Sequence, residues 1–154
     1  MIGLHVERGA VATPIQIVID CAEPAHLASS WALALNYRVQ PAPEGFDTWE
    51  EALASWGVPE SDWNARSAVT DPEDAGPRIF FQKVPEPKVV KIRVHLDVNA
   101  GGPPGTDPQD RRRRVTAEAE RLVAAGASIF REVDERGEHW IVMKDPEDNE
   151  FCVQ

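Results

Sequence analysis

One pattern occurs twice in this chain, and it restricts the fold more than any other feature. Gln16-Ile-Val-Ile-Asp-Cys and Arg93-Val-His-Leu-Asp-Val share an alternation of faces, and Asp20 aligns with Asp97. Later in each half, Phe80-Phe-Gln82 aligns with Glu150-Phe-Cys152. Between these landmarks both halves run strand, helix, then three strands, which reads as an internal duplication. Each half alone would leave a four-stranded sheet with one bare face. Pairing the halves is expected to curl the sheets into a cup, with the helices outside.

The periodicities place the elements. Ile15 to Cys21 alternates as a strand. Pro24 opens a helix, where its missing N–H costs nothing, and Leu27, Trp31 and Leu35 form its apolar stripe to about Asn36. Tyr37 to Gln40 is a short strand. Asp47 to Trp56 is a short inserted helix with a Thr48–Glu51 capping box and a stripe of Trp49, Ala52, Leu53 and Trp56. Ala65–Thr70 and Arg78–Val84 complete the first half. Pro85 and Pro87 mark the joint. Val89 to Val98 is expected to be a long strand, and Asp107 caps a helix that begins at Pro108 and ends at Gly126. Ser128–Val133, a turn at 135–137, His139–Met143 and Glu150–Val153 finish the sheet. The last strand follows an Asp145-Pro146 turn and must pair with strands formed earlier. Residues 1–13 read as a lead-in. The whole, 1–154, is expected to be one domain of two modules, 15–84 with the 47–56 insertion and 89–154.

Charge and cysteine usage exclude several functions. With 26 acids against 16 bases the net charge is -10, which opposes a nucleic-acid or anionic-membrane surface. No apolar run reaches the roughly 20 residues of a membrane span. The two cysteines, Cys21 and Cys152, have no metal-type spacing and read as free thiols of a cytoplasmic protein. Arg111 to Arg114 reads as a solvated helix start with pairs such as Arg114–Glu118.

Over about Ile15 to Gln154 the chain resembles the vicinal oxygen chelate superfamily, which contains glyoxalase I, extradiol dioxygenases, and fosfomycin- and bleomycin-resistance proteins. Within it, the chain is similar to the glyoxalase-like domain proteins of actinobacteria. The resemblance is carried by Ile17-Val-Ile-Asp-Cys, Phe80-Phe-Gln-Lys-Val-Pro-Glu, Arg93-Val-His-Leu-Asp-Val and Asp145-Pro-Glu-Asp-Asn-Glu-Phe-Cys-Val. It implies an α+β fold of two βαβββ modules forming a cupped mixed sheet. The metal enzymes of that group hold one divalent ion in the cup. Their ligand positions correspond here to Gln16, Gln82, Arg93 and Cys152. Arginine cannot ligate, and a thiolate is a soft donor where a carboxylate is expected. The ancestral metal is therefore expected to be lost, leaving no cofactor.

The polar faces of the strands supply the candidate site. Gln16, Asp20, Gln82, Arg93, His95, Asp97 and Glu150 are expected to line the cup, either as a ligand pocket or as a self-satisfied polar network. In the first reading Arg93 anchors an anionic ligand, and His95 works as an acid–base pair with Glu150 or Asp97. Trp49 and Trp56 either wall the pocket or cap a small core. Trp31 is expected in the core. His139 and Trp140 point oppositely, so only one faces the cup. The expected function is binding of a small polar or anionic organic molecule, with metal-independent proton transfer by His95 and Glu150 as the chemistry. The alternatives are a sequestering module like the bleomycin binders, a metal-dependent lyase or dioxygenase rebuilt on Gln16, His95 and Glu150, and a dimeric interaction domain without ligand. A homodimer is expected from the family resemblance.

Overall fold

Two copies of one small unit build the chain. The computed structural model describes residues 15–135 and 137–154. The expected lead-in over 1–13 and Arg136 of the expected turn lie outside them. The first unit contains β1 (Gln16–Cys21), α1 (Pro24–Leu35), β2 (Arg38–Val39), α2 (Trp49–Ser55), a 3-10 turn over Glu60–Ala65, β3 (Arg66–Thr70) and β4 (Arg78–Lys83). The second contains β5 (Asp97–Val98), α3 (Pro108–Ala124), β6 (Ser128–Glu135), β7 (Glu138–Lys144) and β8 (Glu150–Val153).

Each unit forms a four-stranded mixed sheet, ordered β1-β4-β3-β2 and β5-β8-β7-β6. The repeat extends to register. Asp20 pairs with Gln82 in the parallel β1–β4 ladder, and Asp97 pairs with Cys152 in the parallel β5–β8 ladder. The alignment of the two halves in sequence is thus also an alignment in space.

The caps explain the helix limits. Pro24 occupies the first turn of α1, and Asn36 ends it in a left-handed conformation at φ 55°. Thr48 accepts from the Glu51 N–H at 3.2 Å to start α2. The return bond of Glu51 goes one residue further out, to the Asp47 N–H. Asp107 accepts from the Gln109 and Asp110 N–H groups to start α3.

One core spans both units. Leu27, Val69, Ile79 and Phe81 of the first are continuous with Val115, Ile141, Met143 and Val153 of the second. Trp31, on α1, packs on Phe151 of β8 with ring centroids 5.3 Å apart. Its indole N–H donates to the buried Asp145 carboxylate at 3.1 Å. Asp145 also accepts from the N–H groups of Glu147 and Asn149, so it builds the β7–β8 turn and fastens it to α1. Glu147 of that turn accepts from the Ala22 and Glu23 N–H groups at 2.6 and 2.7 Å. It thereby holds the chain leading into α1, while Asn64 Oδ1 caps the helix itself by accepting from the first-turn Ala25 N–H at 3.0 Å, since Glu23 makes no side-chain cap.

The largest departure from expectation is β5. The alternating stretch Val89 to Val98 forms a ladder only at Asp97–Val98. Its neighbour, β8, is four residues long and begins just after the Asp145 turn, so residues N-terminal to Leu96 have no strand to pair with. Val94 is 77% exposed as a result. β6 departs in the opposite direction, running two residues past Val133 to Glu135 because it pairs with β7 as far as Glu138.

Candidate functional site

Helices cover one face of each sheet, and strand alternation decides which side chains lie on the other. In β7, His139, Ile141 and Met143 are buried on the helix side, so Trp140, Val142 and Lys144 belong to the open face. By register, Asp97, Cys152 and Val142 share that open face. On the first sheet the open face carries Gln16, Val18 and Asp20 of β1 opposite Arg78, Phe80 and Gln82 of β4. Val18 is 52% exposed there.

The open face of the first sheet has a guanidinium at one end of the β1–β4 ladder, and Arg78, which supplies it, is not among the residues expected to line the cup. Arg78 donates through Nε to Gln40 Oε1 at 2.7 Å and through Nη1 to the Gln16 amide oxygen. Its Cζ lies 5.0 Å from the centroid of the Phe80 ring. Among the described residues no carboxylate pairs with it. A signal for it exists in the sequence: Arg78 and Phe80 are two apart on a strand, hence on one face. Gln40 also fixes the inserted helix, since the Trp49 indole N–H donates to its backbone carbonyl at 2.8 Å. Trp49, Trp56 and Phe46 then pack edge to face, with centroids 6.4 Å and 5.8 Å apart.

Gln16 and Gln82 are not brought together. Gln16 pairs with Arg78 and Gln82 with Asp20, so the two amides sit at opposite ends of the ladder. At roughly 3.3 Å per residue that separation is about 13 Å. Gln16 is moreover occupied by Arg78. Arg93 is exposed and makes no hydrogen bond or ion pair among the described residues. The four positions that the resemblance assigns to a divalent ion therefore do not fit one.

The second sheet gathers a different group. His95 Nε2 stands 3.6 Å from Asp97 Oδ1, and Cys152 joins them with donor atoms within 4.8 Å of one another. Gln154 Nε2 donates to the other Asp97 oxygen at 3.2 Å. Burial, and then the Asp97 carboxylate beside it, push the Cys152 thiol above its ordinary value; Lys91 and Arg131 only partly offset them. We predict that Cys152 is a thiol, not a thiolate, at neutral pH. Its alkylation by iodoacetamide at pH 8 should run at least about tenfold slower than that of a solvent-exposed cysteine in a short peptide. Cys21 is buried, and burial raises its thiol to about 12.

Glu150 does not pair with His95 as expected. Lys88 Nζ binds its carboxylate at 3.0 Å, and the Ile92 N–H donates to it at 3.4 Å. Burial is the largest single influence on Glu150 and opposes its ionisation. Lys88 and the backbone N–H groups together outweigh it and hold the carboxyl below the ordinary glutamate range. A depressed carboxylate stabilises the fold above its unfolded-state pKa and loses that contribution as pH falls through the folded value. The stability difference between wild type and Glu150→Gln should therefore be full at pH 6 to 7 and shrink below about pH 4.3. Unfolding in urea across that range checks it.

The Arg111–Arg114 run is not simply solvated. Arg112 crosses to β6 and binds both Glu132 and Asp134, while Glu118 turns to Arg121 and not to Arg114. No hydrogen bond or ion pair among the described residues joins the open face of one sheet to that of the other.

Two sheets of β1-β4-β3-β2 type, each backed by one long helix and related by a repeated register, define a two-module glyoxalase-type α+β protein. The family described as "Glyoxalase-like domain" matches residues 16–154, and the chain belongs to it. No curated protein matches the sequence. Among solved structures, the chain is similar to a mutant of the fosfomycin resistance protein FosX from Listeria monocytogenes, complexed with Mn(II) and 1S,2S-dihydroxypropylphosphonic acid. The TM-score is 0.61 at 11% identity, covering 94% of this chain and 93% of that one. It is also similar to a possible glyoxalase from Bacillus cereus (TM-score 0.58, 10% identity, 94% and 99% covered). A glyoxalase/bleomycin resistance/dioxygenase family enzyme from Burkholderia phytofirmans gives 0.55 at 12% identity, with 90% and 94% covered. At these identities the likeness is one of fold. No helix among the described residues is long and apolar enough to cross a membrane.

Proposed function

We propose that this protein binds a small organic anion against its open sheet faces, with Arg78 as the anchor. One observation carries the reading. In a chain of net charge -10, Arg78 is held by two neutral amides over an aromatic ring and has no carboxylate partner among the described residues. Its remaining N–H donors suit a carboxylate, phosphonate or phosphate. Phe80 and the aromatic group of Trp49 and Trp56 supply apolar walls beside it. Arg93, exposed on the other module, is a second cation for the same ligand.

In this reading His95 is the acid–base group and Asp97 its positioning partner. Glu150 is a structural carboxylate neutralised by Lys88. Binding without turnover, as in a sequestering module, is the outcome if His95→Ala leaves affinity and ligand chemistry unchanged. A panel of small carboxylates, phosphonates and phosphates, followed by thermal shift and mass spectrometry of the recovered ligand, tests both binding and turnover. A panel without a single stabilising member contradicts the proposal.

A second reading rests on the closeness of His95, Asp97 and Cys152. A nitrogen, a carboxylate and a sulfur donor suit Zn²⁺ better than Mg²⁺ or Mn²⁺. Zinc that co-purifies stoichiometrically and is lost in Cys152→Ser supports this reading against a metal-free one.

We further propose that a second copy supplies the opposite wall. Among the described residues no polar link joins the half-sites on the two sheets, and apolar side chains including Val18, Val94 and Phe130 are left exposed. Sedimentation velocity at micromolar concentration should find a dimer; a monomer there contradicts the shared wall.

A further inference from the structure

A group of side chains lies on the other side of the second sheet and takes no part in the site above. Glu132 and Asp134 of β6 pair across the ladder with Ile141 and His139 of β7, so all four project toward α3. His139 is only 7% exposed. Its Nδ1 is 3.0 Å from Asp134 Oδ1. A carboxylate can only accept, so Nδ1 carries the proton, and in the neutral ring Nε2 is left with a bare lone pair. That Nε2 is buried and has no hydrogen-bond partner. The charged atom facing it is Glu132 Oε1, at 3.8 Å, which cannot donate. A buried acceptor facing another acceptor is unfavourable unless a proton or a cation lies between them.

The geometry admits a cation. A cavity of about 330 Å³ opens beside the ring, and Asp134 and Glu138 lie in its lining together with Arg112 among the described residues. Arg112 grips both carboxylates, at 2.6 Å and 3.1 Å to Asp134 and 2.9 Å to Glu132, and so fixes their positions. The donor atoms of Glu132, Asp134 and His139 lie within 4.8 Å of one another. Zinc bonds of about 2.0–2.2 Å hold neighbouring ligands about 3.3 Å apart in a tetrahedron, so small side-chain rotations suffice. The Asp134–His139 contact reproduces the carboxylate–histidine arrangement that orients a metal-binding imidazole.

We propose that Glu132, Asp134 and His139 form a zinc-type divalent-cation site at the α3 side of the β6–β7 hairpin. His139 Nε2 and Glu132 are its ligands, Asp134 orients the ring, and water completes the shell. Arg112 weakens the site by partly neutralising its carboxylates. This inference is independent of the anion-binding reading, because it uses none of the same residues.

The test is zinc binding to full-length, chelator-stripped protein, followed by competition with a chromophoric chelator. All variants carry Cys152→Ser, which removes the sulfur donor of the open face. The Cys152→Ser protein should bind one equivalent of Zn²⁺. Adding Glu132→Gln should weaken it at least tenfold, and adding His139→Gln should abolish it. Glu132 is about half exposed, so its variant retains the fold even if the buried His139 variant does not. With Co²⁺ in place of Zn²⁺, the site should show d–d absorption without a thiolate charge-transfer band. No zinc binding by Cys152→Ser, or binding unchanged by Glu132→Gln, overturns the proposal. Either result leaves an imidazolium bridging the two carboxylates as the explanation of the cluster.

Discussion

Replacing Asp145 with alanine is expected to destabilise the protein by about 3–5 kcal/mol, the largest effect of any single polar substitution in the described structure. The carboxylate is buried, and it accepts from Trp31 Nε1, from the Glu147 and Asn149 N–H groups and from the Asn149 side chain. Alanine leaves the Trp31 indole N–H buried without a partner and removes the acceptor that shapes the turn. Each stranded donor contributes about 1–3 kcal/mol. Relief from burying a charge offsets part of the loss, which keeps the total below a simple sum. Asp145→Asn retains one acceptor oxygen and should lose roughly half as much. Because Trp31 also packs against Phe151, both modules should come apart in one transition, with the urea midpoint lowered and the slope unchanged. A loss under about 1 kcal/mol would mean that the turn is held mainly by its backbone.

Arg78→Ala is expected to weaken binding of a small organic anion by about tenfold to a hundredfold. A charge-assisted hydrogen bond contributes about 1.5–3 kcal/mol, and each 1.4 kcal/mol is a factor of ten. Stability should change little, since Arg78 gives up two bonds to partly exposed amides and a stacking contact with Phe80. Arg78→Lys keeps the charge but not the planar fork, and should recover only part of the affinity. Isothermal titration of the tightest panel member against the three proteins checks the order: wild type, then lysine, then alanine.

Much of the fold was legible because periodicity and caps are local. Pro24, Asp107 and Thr48 mark helix starts by chemistry confined to one turn, and the three α-helices among the described residues begin at those marks. The repeat was legible because equal registers demand equal spacings, as Asp20–Gln82 and Asp97–Cys152 show. The length of β5 was not legible. Val89 to Val98 alternates well, but a strand's extent depends on its neighbour, and β8 is cut short by the Asp145 turn. The start of α1 was equally out of reach, since its cap, Asn64, comes from 39 residues away and Glu147, which holds the chain before it, from 124.

The candidate site was legible in part. Alternation placed Gln16, Gln82, Asp97 and Cys152 on open faces, but it could not say which of them meet. Asp97 and Cys152 are neighbours; Gln16 and Gln82 are a ladder apart. Of the two carboxylates offered as partner to His95, Asp97 stands 3.6 Å from it, while Glu150 is bound by Lys88 from the joint between the modules. The arginine run concealed its cross-element partner: Arg113 pairs within the helix with Asp110, but which of four successive arginines reaches the β6 carboxylates depends on the packing angle of α3, and that residue is Arg112.

The most direct test of anion binding at Arg78 is an amide chemical-shift titration of the labelled protein with the carboxylate and phosphonate panel. Saturable shifts are predicted at Gln16, Arg78 and Phe80 and in the Trp49 indole N–H, all abolished in Arg78→Ala. Saturable binding whose shifts avoid the β1–β4 face, or shifts there that persist in Arg78→Ala, would contradict it.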